Sequence, residues 1–275
     1  MSYLSLNDVS YSYPDGFRAI ENITMEFELG ESVAIIGQNG AGKTTTVKLM
    51  NGLLRPFEGN VVIDGWNTKD YSTAQLSRKV GYVYQNPDDQ IFHSRVYNEI
   101  EFGPKKIGLS KERIKENILS AAKLTGIDQF LENHPFDLPY SLRKFISIAS
   151  VIAMEPNVII LDEPTAGQDG NSMKRLSHII KTLTKQGKTV ITITHDMEFV
   201  ANNFNRVIVM ANKRKIADSN KRDVFWNLDV LEKGRVKQPY ISQLSRKLEI
   251  SDKNIFTEEL IHSLKQDSRK KVNTI

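Results

Sequence analysis

The chain has 275 residues, 40% hydrophobic and 25% charged, the balance of a globular protein with length for one large or two modest domains. No apolar run approaches the roughly 18 residues that span a bilayer. Met1-Ser2-Tyr3-Leu4 opens no signal peptide, and zero cysteines exclude a disulfide framework and thiolate chemistry. The net charge of +4 is spread along the chain, with only Lys265, Arg269, Lys270 and Lys271 locally basic, so plain solubility and an anionic partner both stay open.

Residues 1 to about 32 read as antiparallel strands: Tyr3–Leu6 and Ile23–Phe27 alternate, Val9–Tyr13 lies between, and Asp15-Gly16 turns. Val33–Ile36 is a short apolar strand, and a helix is expected over Thr46–Leu54. Gly59–Gly65 reads as a strand ending in an Asp-Gly turn, and Lys79–Tyr84 as another. From about Ile91 to Ser150 the spacing turns helical, with Pro87, Pro104 and Pro135 as punctuation. Val158–Leu161 is an unbroken apolar run, as a strand buried on both faces should be. A helix over Met173–Lys185 follows, closed near Gly187, then buried strands at Val190–Thr194 and Val207–Met210. The alternation predicts an α/β fold: a mostly parallel sheet flanked by helices and interrupted by a helical insertion. Beyond about residue 225 the composition turns polar, which suggests a small appended unit.

Gly37-Gln38-Asn39-Gly40-Ala41-Gly42-Lys43-Thr44-Thr45 fits the phosphate-loop pattern G-x-x-x-x-G-K-[ST], placed between the Val33–Ile36 strand and a helix. Such a loop aims backbone N–H groups and the positive end of a helix dipole at one point. Lys43 is expected to reach the β and γ phosphates of a nucleoside triphosphate, and the Thr44 hydroxyl to ligate Mg²⁺. The second feature is Leu161-Asp162-Glu163-Pro164-Thr165. Its strand-end Asp162 is expected beside the phosphate loop, on a neighbouring strand, holding the Mg²⁺ shell. Glu163 is then placed to polarise a water as general base. The third is Thr194-His195-Asp196, directly after a buried run, where His195 would meet the γ-phosphate and orient Glu163 and the water.

Together these residues resemble the ATP-binding-cassette (ABC) ATPases over about residues 1–215. The resemblance implies a P-loop NTPase domain with an antiparallel β subdomain, a mostly parallel core sheet and a helical subdomain at about 91–150, followed by a C-terminal extension at 216–275. It also implies roles. Tyr13 matches the aromatic that stacks on adenine. Gln85 matches the glutamine that touches Mg²⁺, takes part in catalysis and reports to a transmembrane partner. Asp169, in Ala166-Gly167-Gln168-Asp169, matches the aspartate that crosses to an opposing subunit. Gln168 departs from the apolar residue more common there. Without the family, Tyr13 fits a cross-strand packing residue equally well, and Gln85 a loop residue with no ligand. Val83–Phe92 and Phe102-Gly103-Pro104 look like the ATPase subunits of energy-coupling-factor (ECF) importers, which take up vitamins or transition-metal ions. The tail, with Gln238-Pro239, Gln243-Leu244 and Phe256–Leu260, looks like the extension of that subgroup. ATP and Mg²⁺ are the implied cofactors, and the cytoplasmic face of a membrane the implied place.

One motif breaks. Where the family carries Leu-Ser-Gly-Gly-Gln, this chain has Leu138-Pro139-Tyr140-Ser141-Leu142, then Arg143-Lys144-Phe145. In the family that segment presses small residues onto the γ-phosphate held by another subunit. Pro139 has no N–H, and Tyr140 and Leu142 are bulky. The expected assembly is therefore a heterodimer with a second ATPase bearing an intact signature, together with an integral membrane scaffold and a membrane substrate-binding subunit. Nucleic acid is not among the expected partners. The alternative is a soluble ABC-type ATPase acting on nucleic acid or ribosomes, against which stand the single cassette and the short insertion.

Overall fold

The computed structural model describes residues 2–272, with side chains as far as Gln266; Arg269, Lys270 and Lys271 of the basic tail lie outside the described side chains. The chain opens with an antiparallel hairpin, β1 (Leu4–Ser12) and β2 (Arg18–Phe27), closed by the expected Asp15-Gly16 turn, in which Gly16 N–H donates to Tyr13 O. Next come β3 (Ser32–Ile36), α1 (Lys43–Met50), β4 (Glu58–Ile63), β5 (Trp66–Asn67), α2 (Thr73–Leu76) and β6 (Val80–Val83). The helical insertion is α3 (Val96–Lys106), α4 (Lys111–Thr125) and α5 (Tyr140–Ile152). The core resumes with β7 (Val158–Asp162), α6 (Gly170–Lys185), β8 (Thr189–Ile193), α7 (Met197–Asn203), β9 (Arg206–Ala211) and β10 (Arg214–Asn220). Four helices end the chain: α8 (Lys221–Trp226), α9 (Leu228–Gly234), α10 (Tyr240–Lys247) and α11 (Thr257–Val272).

Two sheets form, a four-stranded one in the order β2-β1-β4-β5 and a six-stranded one in the order β10-β9-β3-β8-β7-β6. The second is parallel from β9 to β6, with β10 antiparallel at its edge. Its strands carry apolar side chains on both faces. Val33 and Ile35 of β3 pack with Ile160, Ile191 and Ile208 towards α1 and the antiparallel sheet. Ala34 and Ile36 pack with Leu161, Val190 and Val209 towards the helices of the insertion and the carboxyl-terminal half. That two-sided burial is why these strands read as unbroken hydrophobic runs.

Several boundaries differ from the sequence reading. α1 starts at Lys43 rather than Thr46 and stops at Met50, because the loop itself supplies the first turn. α6 starts at Gly170, three residues early, capped by Asp169 Oδ1, which accepts from Ser172 N–H at 2.7 Å. Pro104 lies inside α3 rather than ending it; so near the helix end its ring removes a single backbone bond, and α3 stays packed closely on Met154 through Gly103. The division at 215/216 falls within β10, where Arg206 pairs with Asp218 at 2.8 Å, so the core sheet runs on to Asn220. The following helices are joined by an Arg222–Glu259 ion pair at 2.6 Å. No helix among the described residues is long and apolar enough to cross a membrane.

Candidate active site

The loop after β3 is shaped by backbone that only glycine tolerates. Gly37 has φ +146°, and a Cβ there would sit 2.1 Å from the Met210 carbonyl oxygen of β9. Gly42 has φ +99°, and its Cβ would fall 2.6 Å from Ile20 Cγ2. Wedged between β2 and β9, the loop delivers Lys43 to the first position of α1, with its side chain buried. Its Nζ donates to Gly37 O at 2.7 Å and Gln38 O at 3.0 Å. Burial lowers the Lys43 pKa, and the Glu163 and Asp162 carboxylates oppose that fall.

The carboxylates arrive differently from the expectation. β7 is not the neighbour of β3: β8 lies between them, so His195, not Asp162, follows the strand next to the phosphate loop. Strand order is a long-range property, and sequence spacing does not fix it. Glu163 nevertheless reaches the same place, because its N–H donates to Ile193 O of β8 at 2.9 Å and its backbone is left-handed at φ +47°. His195 Nε2 then lies 3.1 Å from Glu163 Oε1 and 3.5 Å from Lys43 Nζ. Burial pushes the Glu163 carboxyl up to about 7, with Lys43 acting against the rise and Asp162 adding to it. Burial and the Lys43 charge lower the His195 pKa, which keeps the imidazole neutral at physiological pH.

These groups border a cavity of about 600 Å³ at the carboxyl edge of the sheet, and so do Tyr13, Asn39, Gly40, Gly42, Thr44, Thr45 and Gln85. Gly37, Gln38, Ala41 and Asp162 do not border it. The first two hold Lys43 through their carbonyls, Ala41 is buried, and Asp162 is 2% exposed behind the cavity wall. Tyr13 borders it with its hydroxyl 3.0 Å from Thr45 Oγ1. Asp169 lies outside the cavity as the α6 cap.

The Mg²⁺ expectation meets a suitable set of donors. Asp162 Oδ2 accepts from the Tyr82 hydroxyl at 2.7 Å, while the buried Oδ1 has no partner. Among the described residues no group of three or more His, Cys, Asp or Glu gathers to hold a metal alone. One carboxylate, a threonine hydroxyl and an amide suit a Mg²⁺ that shares its shell with substrate phosphates and water.

Three participants escaped the sequence reading. Phe17 lines the cavity, 53% exposed, with Lys213 Nζ 4.6 Å from its ring centroid. The hairpin turn itself was the available signal, since it sets Phe17 opposite Tyr13, whose N–H donates to Phe17 O at 2.9 Å. Tyr82 and the fully buried Lys144, which donates to Gln85 O, act from behind the site, and no local pattern marks them.

At the degenerate segment, Pro139 occupies the cap position of α5 with no side-chain cap bond. Tyr140 opens the helix with its ring against Gly167, where an added Cβ would meet the ring at 3.3 Å. Arg143 Nε lies 3.0 Å from Asp88 Oδ1.

A glycine loop and strand-end carboxylates gathered at the carboxyl edge of a parallel sheet define a phosphate-loop nucleotide hydrolase. Residues 20–166 match the ABC transporter family profile. A Pyrococcus horikoshii protein, provisionally named an ABC transporter ATP-binding protein, is 39% identical over 249 residues, covering 90% of this chain and 94% of its own length. An energy-coupling factor transporter ATP-binding protein EcfA of Methanothermobacter thermautotrophicus is 35% identical, covering 95% of this chain and 86% of its own. Among solved structures, cbiO1 of Clostridium perfringens, part of the ABC transporter complex cbiONQ, superposes with a TM-score of 0.76 at 33% identity, covering 90% of this chain and 99% of that one. The chain belongs to the ABC transporter family. It is an ATPase of that family, as its motifs led us to expect.

Proposed function

We propose that the chain is the ATP-hydrolysing subunit that energises an importer of the energy-coupling-factor type for a vitamin or a transition-metal ion. It does so as one half of an asymmetric heterodimer on the cytoplasmic face of the membrane. The EcfA relatives support the subgroup. The observation that carries the chemistry is the meeting of Lys43, Glu163 and His195 around one cavity. Loop N–H groups and Lys43 hold the β and γ phosphates, and Tyr13 and Phe17 border the end left for the base. Glu163, with a pKa near the working pH, takes a proton from water as its oxygen bonds the γ-phosphorus in line and the bond to the ADP oxygen breaks. Neutral His195 orients Glu163 and the water. Thr44 and Gln85 at the cavity, with Asp162 behind its wall, would hold Mg²⁺, which would supply charge neutralisation.

The asymmetry follows from α5. Pro139, Tyr140 and Leu142 offer a partner's phosphate a poor surface, whereas this chain's own catalytic groups are complete. The membrane subunit is assigned to the apolar groove of about 230 Å³ beside Tyr84 and Gln90, where Phe92 and Phe102 meet edge to face at 4.9 Å. The test is ATP hydrolysis by the purified chain alone and by its complex with a partner of intact signature. We expect weak turnover alone, restored turnover in the complex, and loss of most of it in Glu163→Gln with ATP binding retained. Full activity of the isolated chain overturns the heterodimer, and unaffected Glu163→Gln turnover overturns the base.

A further inference from the structure

The helix turns that follow the degenerate segment contact a loop of their own chain. Along one face of α5, residues 143, 144, 147 and 150 all touch the loop that follows β6. Arg143 Nε lies 3.0 Å from Asp88 Oδ1. Lys144 Nζ donates to the Gln85 carbonyl oxygen. Gln90 Nε2 donates to Ser147 O at 3.1 Å and Ser150 Oγ at 3.2 Å, while its Oε1 accepts from Tyr84 N–H at 3.1 Å. The spacing i, i+1, i+4, i+7 is a single helix face, so the loop from Tyr84 to Gln90 is fastened to α5 along two turns.

Lys144 is the unusual member. Its side chain is fully buried, and an ammonium withdrawn from water costs several kcal/mol unless hydrogen bonds and opposite charges offset that cost. An apolar side chain of similar length would fill the same space more cheaply. What the ammonium adds is a charge-assisted bond to the backbone of Gln85, whose side chain borders the cavity, and attraction to Asp162 and Glu163.

We propose that Lys144 is a positioning residue for the hydrolytic site: its buried ammonium fixes the Gln85 backbone and so holds the Gln85 amide at the nucleotide cavity of the same chain. This rests on reading the cavity as the ATP site and Gln85 as one of its groups. α5 thereby braces a catalytic loop of its own chain.

The test is a double-variant cycle on the full-length chain in single-turnover hydrolysis, with protein in excess over labelled MgATP so that slow chemistry is still measured. Lys144→Met should lower the rate at saturation about tenfold or more, since small misplacements of catalytic groups have effects of that size, while the half-saturating concentration moves less than about twofold. The Lys144→Met/Gln85→Ala double variant should be no slower than Gln85→Ala alone. Its melting temperature should equal or exceed that of the wild type, as replacement of a buried charge by a matched apolar group allows. A wild-type rate in Lys144→Met overturns the proposal, and so do rate losses that multiply in the double variant, the result a merely structural lysine would give. If Lys144→Met does not fold, Lys144→Leu, which likewise lacks the N–H donor, is judged by the same two criteria. Failure of the wild-type chain to bind MgATP would instead overturn the assignment of the cavity as the ATP site, and this proposal with it.

Discussion

Glu163→Gln should make the protein more stable, and increasingly so as pH rises. The Glu163 side chain is 12% exposed, and burial lifts its carboxyl from an ordinary 4.5 to about 7. The folded state therefore holds this proton more tightly than the unfolded state does. Stability from Glu163 is fully present below pH 4.5 and lost as pH climbs through 7. Those two values give an ionisation cost on the order of 1 kcal/mol at pH 5.5, growing to about 3 kcal/mol at pH 8. Glutamine keeps the size and shape and removes the titration. Urea unfolding at both pH values should therefore show the variant more stable than the wild type, by about 2 kcal/mol more at pH 8 than at pH 5.5. Thermal melts at pH 8 should rise by roughly 5 to 10 °C. The same substitution should abolish most turnover, the expected trade between a strained catalytic group and stability. A stability difference that does not change with pH, or a variant less stable at pH 8, refutes the reasoning.

Gly37→Ala forces a Cβ against the Met210 carbonyl and should cost roughly 2 to 5 kcal/mol of stability and abolish ATP binding. Gly40→Ala meets open space at φ +77° and should cost only about 1 kcal/mol, so equal losses in urea unfolding would contradict the steric account. Tyr82→Phe leaves Asp162 Oδ2 buried without its donor and should cost about 1 to 3 kcal/mol, read from the urea midpoint; an unchanged midpoint would show that water replaces the hydroxyl.

The features that could be read in advance are local ones. The loop from Gly37 to Thr45 declares itself because its glycines, lysine and threonine stand within nine residues, and the chain must fold there for the pattern to work. The β7 and β8 strands were legible from unbroken apolar runs, and with them the meeting of Glu163 and His195. Their order relative to β3 was not, because parallel strands are joined by crossovers whose destination depends on packing across the whole sheet. Tyr82 and Lys144 were hidden for a related reason. Each acts through a partner far along the chain, Tyr82 on Asp162 and Lys144 on Gln85, and nothing near a buried lysine in sequence says which carbonyl it will find. Arg143 and Lys144 were legible only as charge in a broken motif.

The charges of the site explain why such a loop is worth its strain. In the free chain Lys43 and Lys144 are both pulled below the ordinary lysine range by burial, and Glu163 is pushed above the carboxylate range. Asp162 Oδ1 is buried without a partner, and Glu163 sits in left-handed backbone. Each of these departures is unfavourable alone. Under the proposed function, a polyphosphate would add its negative charge to that of Glu163 beside Lys43. On the proposed function, the folded chain holds these groups for the nucleotide's chemistry rather than where the protein alone would be most stable. On the same proposal, the buried Lys144 of α5 acts from behind the cavity, and its costly charge is offset by the bond that fixes the Gln85 backbone.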